Sequence, residues 1–297
     1  TVAVVPHERT RMDGGQLVIT EQAKPGNNIK SAGEDYRQGE IILPAGQVLD
    51  GGAVALLAAF GITRLPVVRR PRVALLSLAE NLVACEQAPS EAQVRDSNLP
   101  MLRAYAERSG ARVAAELLLP PARLSAEADA LRSAWQHGDI MISSGLNYTQ
   151  GHNELGDLKA LVGAEDVFGE VDYMPGSHVS MAVGGGKMLL SLSGNPASCA
   201  VGFHLLAAPA LAALQGKPYR YAPIPMALIA DFDKKSGSRR FARACAVSTP
   251  EGWRVTVTEG QKPSMIRSLI GCNALIDIAP GTPGLKAGDV AAVYLLP

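Results

Sequence analysis

The residues of this 297-residue sequence that could do chemistry gather in three short polar stretches. They are Ser77–Asn81, Ser143–Glu154 and Ser193–Ser198, and each follows an apolar run. Three carboxylates stand in or beside them: Glu80, Asp96 and Glu154. Gathered at one edge, such groups could hold Mg²⁺, which takes carboxylate oxygen and water. Each also has a plainer reading. Asp96, inside Asp96-Ser97-Asn98, could cap the helix that follows it, and Glu80 and Glu154 could be solvated. The third stretch is the most structured. The strand Met188–Leu192 is broken by Ser193-Gly194; Asn195 then suits an N-cap, and Pro196 sits at the first helical position, where its missing N–H costs nothing. Free backbone N–H groups and the positive end of a helix dipole suit phosphate. An ordinary strand–helix junction is the alternative.

Other chemistry is thin. The five histidines show no metal-ligand spacing, so no zinc centre is expected. Neither a Gly-x-Ser-x-Gly elbow nor a phosphate-binding or dinucleotide-binding glycine motif occurs. Gly184-Gly185-Gly186-Lys187 precedes a strand and reads as a hairpin turn. Arg239, Arg240 and Arg243 form an anion patch or a solvated face, the second being favoured.

The elements that must position these loops fall into three regions. Residues 1–70 read as a partial, β-rich linker domain. It has a strand at Thr1–Val5, a turn at Asp13-Gly14-Gly15 into Gln16–Thr20, and a small β-unit over Gln38–Leu49. A helix over Gly52–Phe60 follows, capped by Asp50 and closed by Gly61, then a strand over Ile62–Val68. Residues 71–220 alternate strand and helix. The strands are Val73–Leu78, Val113–Leu119, Ile140–Ser144, Val167–Tyr173 and Met188–Leu192. The helices are Leu99–Ser109, Ser125–Gln136 (capped by Ser125), Asn153–Val162 and Ala197–Leu214, the last disturbed by Pro209. This predicts an α/β fold: a mostly parallel sheet with helices on both faces, and a ligand beyond the carboxyl ends of its strands. Residues 221–297 predict a small all-β, barrel-like domain with strands at Met226–Ile229, Ala242–Val247, Trp253–Val257, Ala274–Ile278 and Val290–Leu296.

Composition narrows the class. Net charge is zero, and 19% of residues are charged, so nucleic acid is not an expected partner. The longest apolar run, Ala200–Leu214, falls below the roughly 18–20 residues of a span, so no membrane segment is expected. Residues 1–20 do not read as a signal peptide, and four scattered cysteines fit reduced thiols, which points to the cytoplasm. The chain begins at Thr1 rather than Met, which points to a fragment or a processed piece.

In order along the chain, short motifs resemble those of the MoeA family, the molybdopterin molybdotransferases, which include the gephyrin E-domain. These are Gly33-Glu34-Asp35, Gly39 and Leu43-Pro44-Ala45-Gly46; Gly61-Ile62, Val67-Val68 and Arg72–Ser77; Asp96-Ser97-Asn98; Ile142-Ser143-Ser144-Gly145; Gly194-Asn195-Pro196 with Ser198; and Arg239, Phe241, Arg243, Gly260-Gln261, Asn273 and Gly288-Asp289-Val290. The resemblance implies a cytoplasmic homodimer that takes adenylylated molybdopterin and molybdate, uses Mg²⁺ or Zn²⁺, and releases molybdenum cofactor and AMP. It implies catalytic roles for Glu80, Asp96 and Glu154, with metal on Glu80 and Glu154. It implies substrate binding by Ser144, Gly145, Pro175, Gly176, Ser193, Gly194, Asn195, Pro196 and Ser198.

The departures are as specific. By the resemblance, the sequence is expected to start inside the family's second domain. The family's Ser-Thr-Gly-Asp-Glu is Ser77-Leu78-Ala79-Glu80-Asn81, and its second loop glycine is Leu146. Its Lys-Pro-Gly-Lys-Pro is Met174-Pro175-Gly176-Ser177-His178, with both lysines gone. A charged hydrogen bond contributes about 1.5–3 kcal/mol, so the pocket is short of phosphate-binding charge. Two functions follow: a molybdenum-inserting enzyme, or a catalytically weakened relative acting as a molybdopterin- or nucleotide-binding protein or as a scaffold.

Overall fold

In the computed structural model, which describes residues 1–145, 154–217 and 222–297, the chain divides into two units, Thr1–Pro66 and Val67–Pro297. The first is built on a hairpin and one helix. Strands β1 (Thr10–Asp13) and β2 (Gln16–Ile19) pair antiparallel. Their turn is Gly14-Gly15, both with positive φ, as a two-residue turn matched to strand twist requires. Thr1–Val5 is not the strand expected. It runs irregularly, tied by Val4 N to Asn27 O and by Gly26 N to Val2 O. The expected strands at Gln38–Leu49 and Ile62–Val68 do not form either. Pro44 and Pro66 remove ladder donors, and Gly46 turns with positive φ between them. Helix α1 (Gly51–Ala59) forms as read, with Asp50 Oδ1 accepting from Ala53 N at 2.9 Å.

The second unit holds two six-stranded sheets. In chain order its first part comprises β3 (Arg72–Leu78), β4 (Leu82–Val83), β5 (Val94–Arg95), α2 (Asn98–Arg108), β6 (Arg112–Leu119), α3 (Ala128–His137), β7 (Ile140–Ser144), α4 (Glu154–Val162), β8 (Glu165–Phe168), β9 (Tyr173–Met174), β10 (Ser180–Gly184) and β11 (Lys187–Leu192). The sheet order is β6-β3-β7-β11-β10-β8. The first four strands are mutually parallel, and β10 is antiparallel to both its neighbours. Strand β3 is buried from Val73 to Leu78 because both its faces are covered. Val73 and Leu75 pack with Leu99, Leu102 and Ala106 of α2. Ala74, Leu76 and Leu78 pack with Leu131 and Trp135 of α3 and Leu158 of α4.

Several boundaries differ from expectation. Helix α3 starts at Ala128, so Ser125 is not its cap; the chain first makes a short 3₁₀ turn at Pro121–Arg123. The strand expected over Val167–Tyr173 is two strands in two sheets, interrupted at Gly169, and β10 went unread. Gly185-Gly186 makes the hairpin turn between β10 and β11, as expected.

A long apolar helix follows: α5 (Pro196–Gly202), a π-helical stretch (Phe203–Ala207) and α6 (Ala208–Leu214). Pro209 has no N–H to give, so the ladder widens just ahead of it. The whole helix, Pro196–Leu214, is 19 residues and, by length and composition, apolar enough to cross a membrane; it is longer than the run read from sequence. Within its 18-residue apolar window, 67% of the residues are buried in the protein.

Strands β12 (Ile224–Leu228), β13 (Arg239–Thr249), β14 (Gly252–Val257), β15 (Ala274–Ile278) and β16 (Val290–Leu295) form the second sheet. Its order is β14-β12-β16-β15-β13, and β13 pairs back to β14, closing a five-stranded barrel. Its core holds Met226, Leu228, Ala242, Ala244, Val255, Ile276 and Val293. Strand β9 adds to the outside of β13 in parallel, Tyr173 opposite Arg239.

Candidate functional site

The carboxyl ends of β3, β7 and β11 meet at Leu78, Gly145 and Gly194, and their backbones nearly touch. A Cβ on Gly145 would lie 2.2 Å from Leu78 O, and one on Gly194 would lie 3.0 Å from Gly145 Cα. Gly145 also has φ of +93°, a region that side chains disfavour. Beside this junction opens a cleft of about 330 Å³. Ser77, Asn81, Arg95–Asn98, Gly145 and Gly194–Pro196 contribute to its wall.

Asn98 ties the junction together. Its Nδ2 donates to Gly194 O at 2.8 Å and to Ser144 Oγ at 3.4 Å. Its Oδ1 is buried and has no donor among the described residues. Asp96 is 5% exposed, and its oxygens are occupied. Oδ1 accepts from Asn98 N at 2.9 Å and from Ser77 Oγ at 3.3 Å, and Oδ2 accepts from Leu99 N at 3.3 Å. Asp96 thus caps α2, the plainer of its two readings, and in doing so orients Asn98.

The other residues singled out from sequence sort into three places. Gly145, Gly194, Asn195 and Pro196 line the cleft with Asp96. Ser144 is fully buried behind it, on Asn98. Ser193 Oγ accepts from Asn195 N at 3.3 Å. Ser198 is buried, and Gly176 packs against it: a Cβ there would lie 3.2 Å from Ser198 Cβ. Pro175 is buried, and neither it nor Gly176 is among the residues lining the cleft. Glu80 is exposed and turned to Ala122, whose N–H donates to Glu80 Oε1 at 3.3 Å. Glu154 opens α4. Neither glutamate lines the cleft, and among the described residues no group of three or more His, Cys, Asp or Glu side chains is placed to hold a metal ion. Leu146, and the loop beyond it to Asn153, lie outside the described residues.

The Ser193–Ser198 turn offers fewer open N–H groups than its sequence suggests. Asn195 N donates to Ser193 Oγ, Pro196 has none, and Ala197 N donates to Pro263 O at 3.0 Å. That carbonyl belongs to a loop of the barrel held by Arg243. Far from lying on a solvated face, Arg243 is 1% exposed. Its Nε donates to Ser268 Oγ at 2.8 Å and its Nη2 to Gly260 O at 3.3 Å. Burial pushes its guanidinium down to about 10. Arg239 does stay at the surface, paired with Asp277.

Sequence reasoning missed Arg95 as a site residue. It lines the cleft, and its Nε donates to Gln87 O at 3.0 Å. It sits in a two-residue strand, too short to show a period, yet it directly precedes Asp96-Ser97-Asn98. His178, in the segment that lacks the family's lysines, is exposed and faces Glu170 at 3.7 Å.

Comparison with known proteins covers the whole chain. Residues 1–61 match the MoeA N-terminal region (domain I and II), and residues 226–296 match the MoeA C-terminal region (domain IV). The molybdopterin molybdenumtransferase of Staphylococcus epidermidis is 31% identical over 294 residues, spanning 99% of this chain and 70% of the relative; that of Staphylococcus aureus aligns with the same identity and coverage. A crystal structure of the molybdopterin biosynthesis MoeA protein from Pyrococcus horikoshii superposes with a TM-score of 0.76 at 24% identity, over 99% of this chain and 71% of the other. With collinear motifs, both terminal regions and near-complete alignment in agreement, the chain belongs to the MoeA family.

Proposed function

We propose that this chain works in molybdenum cofactor biosynthesis, inserting molybdate into adenylylated molybdopterin with release of the cofactor and AMP. The cleft at the junction of β3, β7 and β11 carries the reading. It lies where a parallel sheet presents its loops, and Asp96, Gly145, Gly194, Asn195 and Pro196, chosen from sequence, all line it. The names of the relatives that align over 99% of the chain support the same activity, and the scaffold alternative rests only on the two lysines missing from Met174–His178.

In this reading the junction receives the substrate. Gly145 and Gly194 keep side chains out of the approach, Asn98 ties Gly194 to Ser144, and Asp96 holds Asn98 in place. Ser144, Ser193, Ser198, Pro175 and Gly176 shape the surroundings from behind. Glu80 and Glu154 complete the proposed set as carboxylates flanking the cleft. The Mg²⁺ or Zn²⁺ implied by the family finds no cluster of ligands among the described residues, so no step is assigned to it. A cytoplasmic homodimer belongs to the same proposal, as does the division near residues 70 and 220. The closed barrel of β12–β16 supports the second boundary.

The test is direct. Purified protein is given molybdate and adenylylated molybdopterin, and AMP is followed by chromatography. Molybdate-dependent AMP release is the expected result. Absence of release, together with failure of the full-length form to rescue cofactor synthesis in cells lacking their own enzyme, would overturn the reading.

A further inference from the structure

The structure assigns Arg95 as the residue that holds the anionic phosphate group of the ligand in this cleft. The inference rests on the molybdopterin–nucleotide reading above and names the charge which that site uses. Among the described residues that line the cleft, Arg95 alone carries a positive charge. The segment that bears lysines elsewhere in the family is not available to replace it. Met174 is drawn into β9 against the barrel, Gly176 packs on Ser198, and His178 turns to Glu170.

Arg95 is also built to be held still. The short ladder of β4 and β5 fixes its backbone, with Val83 opposite Arg95 and Asp96 N donating to Val83 O at 2.8 Å. Its Nε is anchored on Gln87 O at 3.0 Å. The guanidinium is thereby positioned from its Nε side, and its two amino groups can face an oxyanion as a fork. The opposite charge at the cleft, Asp96, is spent on backbone N–H groups and the Ser77 hydroxyl rather than on Arg95. Adenosine monophosphate carries such a phosphate and adenosine does not, so the pair isolates the contact with Arg95.

The test compares AMP with adenosine by titration calorimetry on the wild-type chain, Arg95→Gln and Arg95→Lys, with Arg132→Gln as a surface control. Thermal midpoints are measured on all four. Removing one charged hydrogen-bonding group should weaken AMP binding about tenfold to a hundredfold. It should leave adenosine binding unchanged, and it should flatten the salt dependence of AMP binding. Arg95→Lys should recover part of the loss. If Arg95→Gln binds AMP like the wild type, the assignment to Arg95 is wrong while the cleft reading stands. Equal losses for AMP and adenosine would also overturn it, since the damage is then not to a phosphate contact. If the wild type binds neither compound yet releases AMP from the adenylylated substrate, the Arg95 assignment falls and the proposed activity survives.

Discussion

In the parallel sheet the buried polar side chains gather at one end, while in the barrel they turn inward to fasten a loop. Ser77, Asp96, Asn98 and Ser144 all lie at the carboxyl ends of β3 and β7 or just beyond, and their hydrogen bonds run beside an open cleft. Arg243 lies midway along β13, and its bonds to Ser268 and Gly260 close a loop over the barrel wall. The difference follows from topology. Parallel strands connected by helices leave their loops together at one edge, so polar groups there can face a ligand. The barrel closes on itself, and Arg243 serves the long connection between β14 and β15 instead. Burial of a polar group therefore says little about function until its place in the sheet is known.

Four substitutions break or sharpen that comparison. Gly145→Ala should have the largest effect. The new methyl would meet Leu78 O at 2.2 Å with φ at +93°, and overpacking plus left-handed strain costs about 2–5 kcal/mol. Its chemical-denaturation midpoint should fall well below that of Gly14→Ala in the first unit's hairpin, where no atom lies within 4 Å. Arg243→Ala should cost about 3 kcal/mol, through lost packing and polar partners left behind. Hydrogen exchange should then rise at the Ala197 amide, because Pro263 is no longer held against it, while the β3 amides stay protected. Asn98→Ala removes the tie to Gly194 and should cost about 1–2 kcal/mol. It should also weaken AMP binding; a stability loss with AMP affinity intact would make Asn98 a purely structural member of the junction.

The smallest effect lies at the opposite end of the parallel sheet. Asp139 accepts from Arg69 Nη1 and Nη2 at 2.6 Å each and from Arg72 N at 2.7 Å. The Arg69 hydrogen bonds hold its carboxyl down to about 2. A carboxylate depressed in the folded state stabilises it above the ordinary value of 3.8 and loses that contribution as pH falls towards 2. Asp139→Asn should thus lower the melting temperature at pH 7, and the gap to wild type should close between pH 4 and pH 2. A gap independent of pH would mean that shape rather than charge matters there.

Much of the parallel region was legible because its signals are local. The unbroken apolar run of β3, the Asp96-Ser97-Asn98 cap and the Gly194-Asn195-Pro196 break each state their structure within a few residues. Arg95 was not legible. Its strand is two residues long, and its position depends on Val83 and Gln87. The fate of the Ser193–Ser198 turn was hidden for a different reason. The Ala197 N–H was counted as open because its partner, Pro263, lies in a distant loop of the barrel. Tyr173 was misplaced the same way: the last residue of an expected strand pairs instead with Arg239 of the barrel. Arg243 was read as solvated because arginine usually is; only a closed barrel with a loop to fasten reverses that expectation.

The bond from Ala197 N to Pro263 O also orders events in time. A chain leaves the ribosome from its N-terminus, and its early regions can fold while later ones are still being made. The strand ends of β3, β7 and β11 are complete once residues 194–197 have emerged. The N–H of Ala197 has only water to bond until the barrel loop has been synthesised and fastened. A nascent chain stopped short of Pro263 therefore holds the strand ends of the cleft without this partner for the buried Ala197 N–H.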